Sequence, residues 1–187
     1  MYSETRSLYA LLRRFDHRLV LAESCTAGLV AAELGGIPSV SNHFCGSLVV
    51  YRNDSKTQWL GIEPALLEDP GIGPVSEQVS IALAESALAR TPEATLAGAI
   101  TGHLGPGAPA HLDGTVYCAV AARDARSNSI CKRFLLQAPS PTDTQDIERR
   151  RNRQAEAAKQ MIATLIAFIE REQNDNARSS KTSNTNP

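Results

Sequence analysis

An α/β fold, with a mixed sheet covered by helices on both faces, is what this 187-residue sequence predicts. Three observations lead there. Short apolar runs of strand length, at 18–22, 44–51 and 95–101, alternate with segments of helical periodicity. Two further strand-like runs, 115–123 and 129–137, flank a turn at 124–128, which adds a hairpin to the crossover-connected strands. The length, with 42% hydrophobic and 21% charged residues, suits one domain with a sizeable core.

The elements follow in order. Residues 3–15 place Leu8, Leu11, Leu12 and Phe15 on one side of a helix. The run 18–22 reads as a buried strand. It hands over at Glu23-Ser24-Cys25-Thr26-Ala27-Gly28 to a small-residue helix over 26–34, closed by Gly35-Gly36 and Pro38. The second strand, 44–51, leads to a short helix over 54–60 that ends at Gly61, and another over 63–67. Pro70-Gly71-Ile72-Gly73-Pro74 breaks the chain. Ser76 caps a helix running to about Arg90, without a capping box because Val79 fills the box position. The third strand, 95–101, runs into a Gly/Pro loop over 102–109. A long helix spans 143–171, with Met161, Leu165, Phe168 and Ile169 as its apolar stripe. Residues 1–172 form the domain; 173–187, polar and without apolar anchors, are expected to be a disordered tail.

Composition narrows the function. A net charge of −1 gives no electrostatic reason to expect nucleic acid or an anionic membrane as partner. No apolar run approaches a membrane span, and the N-terminal residues lack a signal-peptide core, so the expected location is cytoplasmic. The four cysteines form no CxxC pair and no zinc-ligand spacing with His17, His43, His103 or His111, which read as isolated surface or core residues, His103 least securely because of its loop. Cys45, Cys118 and Cys131 read as small core hydrophobes. There is no GxGxxG, no Walker A sequence and no HExxH.

What remains is a set of strand ends. Ser24 and Thr26 follow the first strand, Tyr51-Arg52-Asn53-Asp54-Ser55-Lys56 the second, and Thr101-Gly102 opens the loop after the third. If these strands are parallel, the three segments meet at one edge, where α/β sheets bind ligands. Ser24 reads either as a helix cap or as a nucleophile at a helix N-terminus that supports an oxyanion. Cys25, with a thiol pKa lowered by the same helix end, is the second candidate nucleophile. Lys56 is a solvated helix lysine or, desolvated, the base of a Ser–Lys pair. Tyr51 is a packed strand-end aromatic or a proton relay. Of Arg149, Arg150, Arg151 and Arg153, which cannot all face one way on a helix, one or two reach a phosphate or the whole run is solvated.

Four blocks, LAESCTAGLVAAEL, GSLVVYRNDSKTQWLGI, GPVSEQVSIALAESA and AITGHLGPGAP with GTVYCAVAAR, resemble the CinA C-terminal domain family over roughly residues 5–170. The resemblance implies a three-layer α/β/α sandwich with a largely parallel sheet. It also implies an amidase that converts nicotinamide mononucleotide to nicotinate mononucleotide and ammonia, without metal or cofactor, in a homo-oligomer. By position, Ser24 would be the nucleophile, Lys56 its base and Tyr51 an assistant. Cys25, Thr26, Gly28, Asn53, Thr101 and Gly102 would shape the pocket, and Arg149 with Arg151 or Arg153 would hold phosphate. Three positions depart from the family pattern. Ala27 stands where the family has glycine, and its methyl is expected to crowd a close backbone approach. Ser47 also replaces a glycine, and His103 replaces an isoleucine. A nucleotide-binding module without turnover, or an amidase for another small amide, is the competing reading.

Overall fold

The computed structural model describes residues 2–123, 129–137 and 146–183, the side chains of Tyr2 and 176–183 excepted. Five strands, β1 (Leu19–Glu23), β2 (Phe44–Val49), β3 (Leu96–Gly102), β4 (Thr115–Ala122) and β5 (Ile130–Leu135), form one sheet in the order β2-β1-β3-β4-β5. β1 runs parallel to β2 and β3; β4 and β5 are antiparallel additions at one side. The predicted mixed sheet is therefore present, and the three parallel strands end at one edge.

Alternation along the strands builds two cores. Leu19 and Leu21 of β1, Leu96 and Ile100 of β3, and Val116, Cys118 and Val120 of β4 face one way. They pack on α1 (Tyr2–Arg14), α2 (Leu29–Gly35) and α6 (Asp146–Ser183). Val20 and Ala22, Ala97 and Ala99, and Ala119 and Ala121 face the other way, onto α3 (Asn53–Leu60), α4 (Pro64–Glu68) and α5 (Glu77–Arg90). Small side chains on this second face let α5 lie close to the sheet, with its own Ala84 and Ala87 buried. On the first face Gly98 does the same for α6: a Cβ there would stand 3.0 Å from Met161 Cε and from Leu21 Cδ2. The outcome is a three-layer α/β/α sandwich in which β1 is buried on both sides. Among the described residues no helix is long and apolar enough to cross a membrane.

Two element readings need correction. α2 starts at Leu29, not at 26; residues 24–28 form a turn, because Ala27 and Gly28 adopt left-handed φ values of 52° and 94° that no helix interior accommodates. α6 continues to Ser183, so 173–183 extend a helix where a disordered tail was expected, with Arg171 and Asp175 paired one turn apart at 3.7 Å. The turn at 124–128, the helix start at 143–145 and the last four positions of the tail lie outside the described residues. Ser76 caps α5 as predicted, accepting the Val79 N–H at 3.3 Å.

Candidate active site

The chain leaves β1 for one face of the sheet through α2, and returns from β2 to β3 across the other face through α5. The exits of the adjacent strands β1 and β2, to α2 on one face and α3 on the other, therefore diverge and open a crevice, to which the loop after β3 adds a wall. That crevice is a cleft of about 240 Å³. Ser24 and Cys25 enter it from β1, Tyr51, Asn53 and Lys56 from the β2 side, and Thr101, Gly102 and His103 from β3. Arg150 of α6 completes the wall.

Glu23, fully buried, sets the geometry of the β1 turn. Its Oε2 accepts the N–H groups of Gly28 and Val30 at 3.0 and 3.1 Å. Its Oε1 accepts the N–H of Ala31 at 2.9 Å and the Ser47 hydroxyl at 3.0 Å. The free N–H groups and positive end of α2 are thus satisfied by a side chain of the same fold. Ser24 is not the cap, and this helix end is not an open anion site, contrary to the sequence reading. Freed of that duty, Ser24 is tied by its N–H to Ile100 O at 3.0 Å and accepts the Ala27 N–H at 3.1 Å through its carbonyl. Its side chain lies in the cleft at 7% exposure.

Cys25 is fully enclosed, and burial pushes its thiol up to about 12, against a smaller lowering influence of Arg150. The thiol stays protonated at neutral pH, so the expectation of a lowered pKa is corrected and Cys25 loses its case as nucleophile. Lys56 is buried at 2% exposure. Its Nζ donates to the Tyr51 carbonyl at 3.4 Å. Burial lowers its pKa below the ordinary lysine value, with the nearby Cys25 opposing weakly. The solvated-lysine alternative is therefore excluded. Tyr51 is 51% exposed, and its hydroxyl oxygen accepts a hydrogen bond from Arg150 Nη2, while Arg150 Nη1 donates to Gly105 O.

The β3 wall is fixed by close packing. A Cβ on Gly102 would come within 2.3 Å of Val116 Cγ1 and 2.9 Å of Thr115 O, so only glycine fits there. Thr101 Oγ1 donates to Pro74 O at 2.9 Å, anchoring the loop before α5. Arg153, 3% exposed, forks onto Asp113 at 2.8 and 3.0 Å and donates to Leu104 O at 3.2 Å, clamping the 103–114 loop onto α6. That hydrogen bond holds the Asp113 carboxyl below the usual range.

Seven sequence-named residues meet in the cleft: Ser24, Cys25, Tyr51, Asn53, Lys56, Thr101 and Gly102. Five do not line it, among them Arg153, engaged by Asp113. Thr26 is buried, with its carbonyl accepting from Gln154 at 3.0 Å. Gly28 occupies the N-cap position of α2. Arg149 sits 3.7 Å from Asp146, and Arg151 is exposed. The arginine in the cleft is Arg150, which sequence reasoning did not single out. A partial signal existed. Arg150 precedes Met161 by eleven residues, about 1100° of helix and so about 20° from the same face, while Arg151 precedes Ile169 by eighteen, about five full turns; the apolar stripe of α6, extended backwards, narrows the run to these two without choosing between them. Ala27 is exposed and outside the cleft, so its methyl does not crowd the site as expected. Ser47 serves the Glu23 carboxylate instead of a ligand.

A three-layer α/β sandwich with a polar cleft at the ends of its parallel strands is the class that this fold and site define. Within it, the chain belongs to the CinA C-terminal domain family, whose model matches residues 2–166. It is 45% identical over 114 residues to a CinA-like protein of Mycobacterium tuberculosis H37Rv, covering 60% of this chain and 26% of that protein. The chain thus spans about a quarter of the length of that relative. Among solved structures, a CinA superfamily protein from Klebsiella pneumoniae superposes with a TM-score of 0.78 at 22% identity, over 91% of this chain and 98% of that one. A competence/damage-inducible protein from Agrobacterium tumefaciens gives 0.71 at 30% identity, over 87% and 93%.

Proposed function

We propose that this protein hydrolyses the carboxamide of nicotinamide mononucleotide, releasing ammonia and nicotinate mononucleotide. The observation that carries the reading is the cleft itself. A serine hydroxyl, a desolvated lysine and a tyrosine that accepts from an arginine line one small cavity, with no carboxylate among its described lining residues. A neutral Lys56 takes the Ser24 proton as Oγ attacks the amide carbon. The Tyr51 oxygen holds the Arg150 N–H, which leaves its own O–H to donate and steadies the phenolate that forms. Tyr51 therefore gives its proton to the departing nitrogen, and ammonia leaves an acyl ester on Ser24. Lys56 keeps the serine proton until the ester is hydrolysed, then returns it to Oγ. Arg150 is the fixed cation within reach of a substrate phosphate.

Ammonia release from nicotinamide mononucleotide tests this. The wild type is expected to release it and Ser24→Ala to lose at least about 10³-fold, on the scale of removing an activated nucleophile. No release by the wild type overturns the amidase and leaves a binding module. Release undiminished in Ser24→Ala overturns the mechanism.

A further inference from the structure

His103 has no part in the first half of that reaction, yet it stands in the cleft. The sheet order places it: β1, carrying Ser24, lies between β2, which leads to Tyr51 and Lys56, and β3, which leads to His103. The nucleophile's strand thus has the Lys56 segment on one side and the His103 segment on the other, both lining the same cleft. The His103 backbone is held at both polar atoms, its N–H donating to Thr115 O at 2.9 Å and its carbonyl accepting from Gly114 at 2.8 Å. The resemblance to the family puts isoleucine at this position, so the imidazole is a polar group this chain adds.

We propose that His103 is the general base for the water that hydrolyses the Ser24 ester. The inference rests on the amidase reading. In the acyl-enzyme Lys56 is protonated and cannot accept a second proton, and Tyr51, 51% exposed, has drawn its proton back from solvent. Water enters from the open cleft, where His103 is the lining side chain still able to accept a proton. His103 takes one water proton while the C–O bond forms; the C–Oγ bond then breaks, and Lys56 gives its proton to Oγ. The proton on His103 passes to solvent, replacing the one that Tyr51 drew, and every group returns to its starting state. The charged and titratable groups that act on the imidazole are Asp113 and His111 of its own loop; Lys56 and Tyr51 from the β2 side and Arg150 of α6 share its cleft. Asp113 is already engaged by Arg153. Burial, the largest influence, holds His103 below the ordinary histidine value, with His111 lowering it further and Asp113 opposing, so the base form is the one present at neutral pH.

The test is rapid-quench ammonia release from nicotinamide mononucleotide by the wild type, His103→Ala and His103→Gln. Both variants are expected to release about one equivalent of ammonia per protein in a burst, then turn over about 10²-fold more slowly, the usual contribution of a general base. The Ser24 peptide then carries the acyl mass, and added imidazole restores turnover in His103→Ala. Linear release at the wild-type rate in both variants overturns the role while leaving the amidase intact. Loss of the burst in His103→Gln, with Ser24 unmodified, overturns it as well, because the first half needs no His103. A wild type that releases no ammonia overturns the amidase reading and this role with it.

Discussion

Ala27 is held at φ 52°, in a left-handed turn that favours glycine. An L-residue with a side chain loses about 1–2 kcal/mol there, while glycine returns about 0.4–1 kcal/mol through its freer unfolded chain. Ala27→Gly is therefore expected to stabilise the protein by about 0.5–1 kcal/mol in urea unfolding, with ammonia release unchanged because the residue lies outside the cleft. Lys56 is the opposite case, a residue kept at a cost. Its pKa is lowered by burial, so between that value and 10.5 the unfolded chain holds a proton that the folded protein lacks. Stability rises with pH across this window, and the penalty is complete below the folded value and gone above 10.5. Lys56→Met should thus raise stability at neutral pH, lose that advantage in strong alkali, and abolish turnover. In the wild type, kcat/KM should climb with pH as Lys56 loses its proton, with a midpoint below 10.5. A Met variant less stable than the wild type at pH 7 would contradict this account of the burial.

The elements show what a sequence can and cannot disclose. β1, β3 and β4 were legible because their alternation is local. Leu19 and Leu21 against Val20 and Ala22 announce a strand buried on both faces. The start of α2 was not legible, because its cap is Glu23, and Glu23 is completed by Ser47 from a neighbouring strand. Ser24 looked like the cap because serine commonly is one; only the sheet pairing reveals a competitor. The arginine run of α6 failed for a similar reason. Consecutive helix positions point about 100° apart, and the docking of Met161 and Leu165 on Gly98 decides which one enters the cleft. The same docking buries Arg153, whose only carboxylate within ion-pair distance among the described residues is Asp113, 35% exposed. Removing one partner of a fully buried pair costs about 3–5 kcal/mol; with Asp113 partly solvated, Asp113→Asn should cost about 2 kcal/mol. The double variant with Arg153→Met should cost less than the sum of the single changes, a coupling that a double-mutant cycle in urea measures. Additive losses would mean that the clamp contributes nothing.

Across the whole molecule, a net charge of −1 supplies no long-range field to draw an anion in. Any preference for a phosphorylated substrate must arise locally, where Arg150 and Lys56 face a cleft without a described carboxylate. Lys56 must be neutral to act as a base, so Arg150 is the cation on which that preference depends. A hydrogen-bonded charge contact contributes about 1.5–3 kcal/mol, equivalent to roughly 10- to 150-fold in kcat/KM. Nicotinamide riboside, which lacks the phosphate, should accordingly be hydrolysed about 10- to 100-fold less efficiently than the mononucleotide. Arg150→Gln separates the two duties of this residue. Loss of the phosphate contact narrows the gap between the two substrates; loss of support for the Tyr51 hydroxyl lowers kcat for both alike. We expect both effects together, because one guanidinium already spans Tyr51 and Gly105. An undiminished gap in Arg150→Gln would move phosphate recognition to another residue of the cleft.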